Sequence, residues 1–526
     1  MSGNWPRFVS MSYLDPKGVL SIDYSKLCQS QEKYQALSSR ASYALKLMSE
    51  LEAGAISNPD ENRMVGHYWL RDASICPDLA IASEIADTYA SLRSFVSDVH
   101  SGKVKSPSGK PFQSFVLIGI GGSALGPQFI SDALAPKCGG MVAHFMDNTD
   151  PDGFDRLFTC LDASLDAALF IVVSKSGGTA ETRNGMVEAK RRLKQSGLSF
   201  EGQAVAVTQK GSALDRTAET EGWLARFPMW DWVGGRTSLM SAVGLLPALL
   251  QGIDTDALLE GAKYCDSLGR SAVWEANPSL ILAMSWLIAT EGKAKRALVV
   301  LPYKDRLALF SKYLQQLVME SLGKELDAKG NKINQGITLF GNKGSTDQHS
   351  YVQQLVEGPD QYLVTFVHVL RDRLGSSPLV DGSNTSGDYL TAFMSGTRDA
   401  LSQKGRPSLT IAVKTADAFD LGLLIALFER AVGFYASMVG INAYHQPGVE
   451  AGKLSAGRAL IALSEALEFL SGHRGERYSA LEISERIGRK EEAESIFIML
   501  RHSAENPDRL VRTDGTNPKS AMFWIP

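Results

Sequence analysis

The chain has 526 residues, 44% of them hydrophobic and 21% charged, with a formal net charge of −4. At roughly 150 residues per domain, that length implies about three folding units or two large ones. Such a core needs no disulfide or metal staple. The near balance of 54 Lys and Arg against 58 Asp and Glu argues against a nucleic-acid binder, which carries a basic face. Cys28, Cys76, Cys138, Cys160 and Cys265 are an odd number without a C-x-x-C pair, the usage expected in a reducing cytoplasm. The opening MSGNWPRFVSMSYLDPKG lacks the cationic flank and apolar run of a secretory leader.

The first hundred residues, 1–100, read as a helical region expected to pack on the second α/β domain. Within them, SSRASYALKLMSELEAG carries apolar residues at helical spacing and closes on a glycine. After the polar link GKVKSPSGKP the texture changes. The runs SFVLIGI (114–120), MVAHFMD (141–147), ALFIVVS (168–174) and AVAVTQ (204–209) are β-rich and separated by helix-like segments. That alternation predicts a parallel sheet covered on both faces, in a first α/β domain over 101–270. Its last stretch, 244–268, reads as a helical bridge. The pattern returns in RALVVLPY (296–303), GITLFG (336–341), YLVTFVHVL (362–370) and SLTIAVK (408–414), predicting a second α/β domain over 271–470. The expected fold class is thus α/β, with two doubly wound, mainly parallel sheets and helical N- and C-terminal extensions. Leu421 to Val439 is strongly apolar but holds Glu429, Arg430 and glycines, so a buried helix is expected there and no membrane span. The charged, amphipathic tail, 471–526, predicts helices packed on the outside of one domain.

Open α/β sheets bind ligands at the carboxyl ends of their strands. The first such end is GIGGSALGP, where Gly121 and Gly122 let the backbone approach a ligand and Ser123 adds a hydroxyl. Gly119-x-Gly121, with Asp147 ending the next strand, equally resembles the opening of a dinucleotide fingerprint. An NAD-type oxidoreductase therefore stays open at this point. The third strand ends in SKSGGTAET, bunching the hydroxyls of Ser174, Ser176 and Thr179 beside Lys175. Several short donors at a helix start suit a compact phosphate dianion better than an extended pyrophosphate. A plain Ser/Thr-rich cap without a ligand is the simpler alternative.

Four more segments carry chemistry. Arg236 follows two glycines in WDWVGGRTSLMSAVG, after an aromatic, strand-like run, and a guanidinium held there can neutralise an anionic intermediate. Glu320 lies on DRLALFSKYLQQLVMESLGK, a helix expected to be capped by Asp305 and ended by Gly323. Leu307, Phe310, Leu314, Leu317, Val318 and Ser321 share one face of it, with Gln316 and Glu320 as i,i+4 neighbours on the flank. Most glutamates so placed are simply solvated. His349 sits in GNKGSTDQHSYVQQLVEGP, and none of the eight histidines forms a metal-binding pair, so no metal site is expected. Lys453 closes HQPGVEAGK, close to a helix start at Pro447 and preceded by Gln446.

Taken together, GIGGSALGP, SKSGGTAET, GGRTSLMSAVG, VMESLGK, STDQH and QPGVEAGK resemble the phosphoglucose isomerase (glucose-6-phosphate isomerase) family in order and spacing. They span residues 119–453, about two-thirds of the chain. The resemblance implies two sugar-isomerase-type domains and reversible conversion of glucose 6-phosphate to fructose 6-phosphate through a cis-enediol, in glycolysis and gluconeogenesis. It implies Ser123, Ser174, Ser176 and Thr179 as phosphate contacts, with the backbone of Gly121, Gly122 and Lys175 nearby. Gln316 and Gln446 match substrate-contacting glutamines. Glu320 matches the base between C1 and C2, Arg236 the stabiliser of the enediolate, and His349 and Lys453 the groups that assist ring opening. It further implies no cofactor, a cytoplasmic location, and a homodimer whose histidine reaches the neighbouring subunit's site. Thr237, the Gly177–Gly178 pair and Leu322 depart from the commonest family residues. A non-catalytic sugar-phosphate sensor would need none of Glu320, His349 or Lys453, and their joint presence argues for the enzyme.

Overall fold

A computed structural model describes residues 4–27, 30–136 and 139–526. Cys28 and Cys138 lie outside them. The chain divides into two compact units, Met1–His445 and Gln446–Pro526.

In the first unit, one parallel sheet of five strands runs in the order Val142–Met146, Ser114–Ile118, Ala168–Val173, Ala204–Thr208, Ala225–Pro228. Numbered along the chain, that is second, first, third, fourth, fifth. Every residue of Ser114–Ile118, Ala168–Val173 and Ala204–Thr208 is buried, as expected for strands covered by helices on both faces. This is why they read as continuous Val, Ile, Leu and Phe with no polar alternation. Val142–Met146, at the sheet edge, is only partly covered.

A second sheet has six strands, of which Ser408–Val413, Tyr362–Val369, Ala297–Pro302 and Leu339–Phe340 are parallel neighbours in that order. All eight β-rich runs of the sequence therefore form strands. The other two strands, Ser12–Leu14 and Leu20–Asp23, depart from the helical reading of the N-terminal region. They form an antiparallel hairpin that extends the sheet, Ile22 facing Ile411. Strands of three and four residues leave little periodicity, and their partner lies almost 400 positions away in the chain. The remaining N-terminal elements are helical, including Ser38–Glu52 and Leu79–His100. The bridge after the first sheet folds as helices Ala242–Leu250 and Thr255–Gly269.

One helix among the described residues, Ala418–Val439, is long and apolar enough to span a membrane, and 89% of its apolar window is buried inside the fold. It packs against Thr255–Gly269 so closely that a methyl group on Gly422 would collide with the Leu258 carbonyl. Glu429 and Arg430 on it are buried in ion pairs. Arg71 Nε lies 2.6 Å from Asp266 Oδ2 and its Nη1 2.5 Å from Glu429 Oε2. Arg430 Nε donates to Asp266 Oδ1 at 3.0 Å, and Glu52 also pairs with Arg430. Hydrogen-bonded partners are what make such burial tolerable.

The second unit builds its own core from Ala462, Ala466, Leu470, Ile483, Ile496, Leu500 and Phe523. Its helices are Pro447–Gly472, Ala480–Arg486 and Ala493–Glu505. Reciprocal bonds between Ser479 and Glu482 cap the second of them.

Candidate active site

The second-first-third strand order of the first sheet opens a crevice beyond its first and third strands, the place where such sheets take ligands. Both hydroxyl- and glycine-rich loops end there, because Ile118 and Val172 face each other in register. Residues far apart in the two sequence motifs thus become neighbours by strand pairing alone.

In the first loop Gly121 has φ +58°, a turn that glycine adopts at no steric cost. A methyl group on Gly122 would collide with the Gly235 carbonyl, so this loop lies directly on the Gly235–Arg236 turn. Ser238 Oγ also donates to the Gly122 carbonyl at 3.4 Å. On the other side, a Cβ on Gly121 would stand 3.2 Å from Gln316 Nε2. Asp147, the acid of the dinucleotide reading, accepts a hydrogen bond from Gln128 Nε2 at 2.7 Å.

The second loop is laced by its own hydroxyls. Ser174 Oγ donates to Thr179 Oγ1 at 3.2 Å and accepts from Gly177 N at 3.2 Å, while Ser176 Oγ accepts from Gly178 N at 3.2 Å. Thr179 precedes helix Ala180–Gln195 and makes no side-chain cap, which leaves its hydroxyl on the Ser174 side. Lys175 crosses to the Arg236 segment, donating to the carbonyls of Asp231 at 2.8 Å and Val233 at 3.1 Å. Burial pushes its ammonium down to about 8.

The aromatic run before Arg236 reads as strand-like in the sequence. The strand instead ends at Pro228, and Trp230 and Trp232 stack on each other at 5.0 Å. Arg236 follows, 5% exposed. Its Nε donates to Ser321 Oγ at 2.8 Å, and its Nη2 donates to the carbonyls of Ala443 at 2.8 Å and His445 at 3.0 Å. Burial lowers its pKa from the ordinary arginine value, opposed by the Glu320 charge.

The sequence places Glu320 on one continuous helix. The helix begins as Phe310–Gln315 and then widens into a π turn, Gln316–Glu320. A π turn inserts one residue into the helix, and such turns are frequent at functional sites. Asp305, expected as the cap, pairs with Lys343 at 2.8 Å instead. The face formed by Leu307, Phe310, Leu314, Leu317, Val318 and Ser321 is buried, which leaves Gln316 and Glu320 on the flank facing the crevice loops. Glu320 Oε2 is buried without a hydrogen-bond partner, 3.7 Å from Arg236 Nη1.

His349 ends a 3-10 turn, Thr346–His349, beside the second sheet and is exposed. Buried Asp347 anchors that turn by accepting from Asn342 N at 3.1 Å and Tyr351 Oη at 2.5 Å. No hydrogen bond or ion pair among the described residues joins His349 to Arg236 or Glu320. Gln446 and Lys453 belong to the second unit, at the start of and within helix Pro447–Gly472.

Sequence reasoning assigns no role to Lys324, which is buried and donates to the Glu320 carbonyl at 2.8 Å. Burial, with Arg236 nearby, lowers it to about 8. It closes the same VMESLGK segment as Glu320, and that is the available signal. The carbonyls of Ala443 and His445 carry no such signal, because backbone acceptors are the same in every sequence.

A sequence profile for a family described as phosphoglucose isomerase matches residues 23–385 and 390–474. The chain belongs to the phosphoglucose isomerase family. Among its curated relatives, a glucose-6-phosphate isomerase of Geobacter sulfurreducens is 54% identical over 515 residues, covering 98% of this chain and 97% of the relative. One from Synechococcus elongatus is 52% identical over 519 residues, 98% of each chain. The crystal structure of a glucose-6-phosphate isomerase from Chlamydia trachomatis superposes with a TM-score of 0.79 at 28% identity, covering 88% of this chain and 91% of that one. The phosphoglucose isomerase family thus accounts for the parallel strands of both sheets, since the profile runs through all of them.

Proposed function

We propose that this chain, an aldose–ketose isomerase of the phosphoglucose isomerase family, interconverts D-glucose 6-phosphate and D-fructose 6-phosphate with Glu320 as the base. The observation that carries this reading is the unpartnered, buried Oε2 of Glu320 facing the guanidinium of Arg236. A carboxylate oxygen that accepts no hydrogen bond is available for a proton.

In the open-chain aldose, Glu320 takes the proton from C2. The C2–H electrons form the C1=C2 bond, and the aldehyde oxygen becomes an oxyanion. Arg236, fixed on Ser321, Ala443 and His445, stabilises that negative charge without having to reorganise. Return of the same proton to C1, with transfer of the O2 proton to O1, gives the ketose. The phosphate is held by the hydroxyls of Ser123, Ser174, Ser176 and Thr179, with Lys175 and the glycine loop behind them. Gln316, beside Gly121, contacts the sugar.

His349 and Lys453 assist ring opening, and Gln446 contacts substrate. The exposure of His349 on its 3-10 turn supports its working in a neighbouring copy's site, in a homodimer. The reaction belongs to glycolysis and gluconeogenesis, and free thiols at Cys76, Cys160 and Cys265 support a cytoplasmic location.

Glu320→Gln tests the assignment. Its kcat should fall by about 10²–10⁴ while KM stays within roughly threefold, and deuterium uptake at C2 from heavy water should fall in parallel. Wild-type exchange in that variant would remove Glu320 as the base.

A further inference from the structure

The second sheet repeats the strand order of the first. Read from Leu339–Phe340, its parallel strands are second, first, third and fourth along the chain. The same rule that places a ligand at residues 119–179 therefore marks a second crevice, beyond Pro302 and Val369. A cavity of about 900 Å³ opens there. That is the size of a small-molecule site, roughly 300–1,000 Å³.

Its walls come from the loops that follow each strand. Lys304 and Arg306 follow the first, Ser345 and Thr346 the second, and Arg373 the third. Lys304 Nζ is held by the carbonyls of Arg371 at 2.9 Å and Asp372 at 2.5 Å. Arg306 donates to the Ala133 carbonyl at 2.7 Å. Arg373 makes no hydrogen bond or ion pair among the described residues. The acids nearby offset these charges only in part. Asp305 is paired with Lys343 at 2.8 Å, and the Asp372 carboxylate lies where a Cβ of Gly387 would be, at the start of helix Ser386–Gln403. Three cations thus share the cavity with one acid that forms no ion pair among the described residues. Burial lowers the Lys304 pKa from its ordinary value; the Asp372 charge and, less strongly, that of Asp305 oppose the shift, and the charges of Arg306 and Arg373 add to it. Three cations against a single acid without an ion pair are an arrangement an anion relieves. Also lining the cavity, Thr391 Oγ1 and His368 Nε2 are 3.3 Å apart, a polar pair suited to hydroxyl groups.

We propose that this second crevice binds a phosphate monoester of a small polyol, with Arg373 and Lys304 on the phosphate and the Ser345, Thr346 and Thr391 hydroxyls on the polyol. The site is separate from the one that performs the isomerisation.

The test is isothermal titration of the full chain with sorbitol 6-phosphate, which has no carbonyl to isomerise. Arg373→Glu, an exposed substitution that breaks no internal bond, should weaken one binding component by at least about tenfold. Arg373→Lys should keep that component within about threefold. The kcat/KM for fructose 6-phosphate, measured far below saturation, should be unchanged in both. Superimposable isotherms for wild type and Arg373→Glu would overturn the proposal. So would equal saturable binding of unphosphorylated sorbitol, because the cations would then not be reading phosphate.

Discussion

Glu320 Oε2 stands 3.7 Å from Arg236 Nη1, too far for a hydrogen bond and close enough for each charge to feel the other. The pair joins two segments 84 positions apart, a glycine-held turn after the first sheet and a π turn inside a helix. The guanidinium is fixed from behind by two backbone carbonyls and Ser321. The carboxylate keeps one oxygen without a hydrogen-bond partner. One group is immobilised and the other is left available.

Arg236→Lys should therefore cost more than a charge-conserving change suggests. An ammonium cannot bond Ser321, Ala443 and His445 as a planar fork does. We expect kcat to fall by about 10²–10³ with KM changed little, as for loss of an oxyanion donor. Steady-state kinetics in both reaction directions measures this, and an unchanged kcat would mean that Arg236 only supports the fold.

Gly122→Ala tests how tightly the crevice loop sets the Arg236 turn. The added methyl has nowhere to go but into the Gly235 carbonyl. Overpacking of this kind costs about 1–3 kcal/mol, and the displaced turn should lower kcat together with thermal midpoint. Gly235→Ala is the matched control, since a Cβ there meets nothing within 4 Å.

Lys175 gives a pH signature. Its ammonium is lowered to about 8 by burial, so the positive charge on the SKSGGTAET loop, proposed above to hold the phosphate, is present below that pH and lost as pH rises through it. KM for the sugar phosphate dianion should rise between pH 7 and 9, by roughly three- to tenfold. Lys175→Arg, which stays charged, should hold KM flat across that range. A KM that climbs equally in both proteins would assign the titration elsewhere.

The buried network around Asp266 should matter for stability more than for chemistry. Arg71→Met leaves Glu429 without its 2.5 Å partner and Asp266 with one cation fewer, all of them buried. Breaking such a pair costs about 3–5 kcal/mol. Urea denaturation should show a lower midpoint, with the KM of the remaining folded enzyme unchanged.

Much of the molecule is legible in its residues alone, for physical reasons that differ by element. Buried parallel strands must be apolar throughout, so SFVLIGI, ALFIVVS and RALVVLPY declare themselves. Glycines and short hydroxyl residues at their carboxyl ends declare the loops, because few other residues let a backbone turn so sharply or bring donors so close. The hairpin at Ser12–Asp23 does not declare itself, since its strands are too short for a period and pair with a distant partner. Nor does the π turn at Gln316–Glu320, whose extra residue leaves the apolar stripe of LFSKYLQQLVMES intact.

The near-neutral composition argues against a nucleic-acid binder, and the ordered motifs point to a phosphosugar isomerase. Those are properties of residue type and order, which a sequence carries in full. That Glu320 faces Arg236, that Gly122 rests on Gly235, and that Lys324 is buried beside Arg236 are properties of long-range packing. They depend on where two sheets and the helices between them come to rest, and no local pattern in 526 residues encodes that distance.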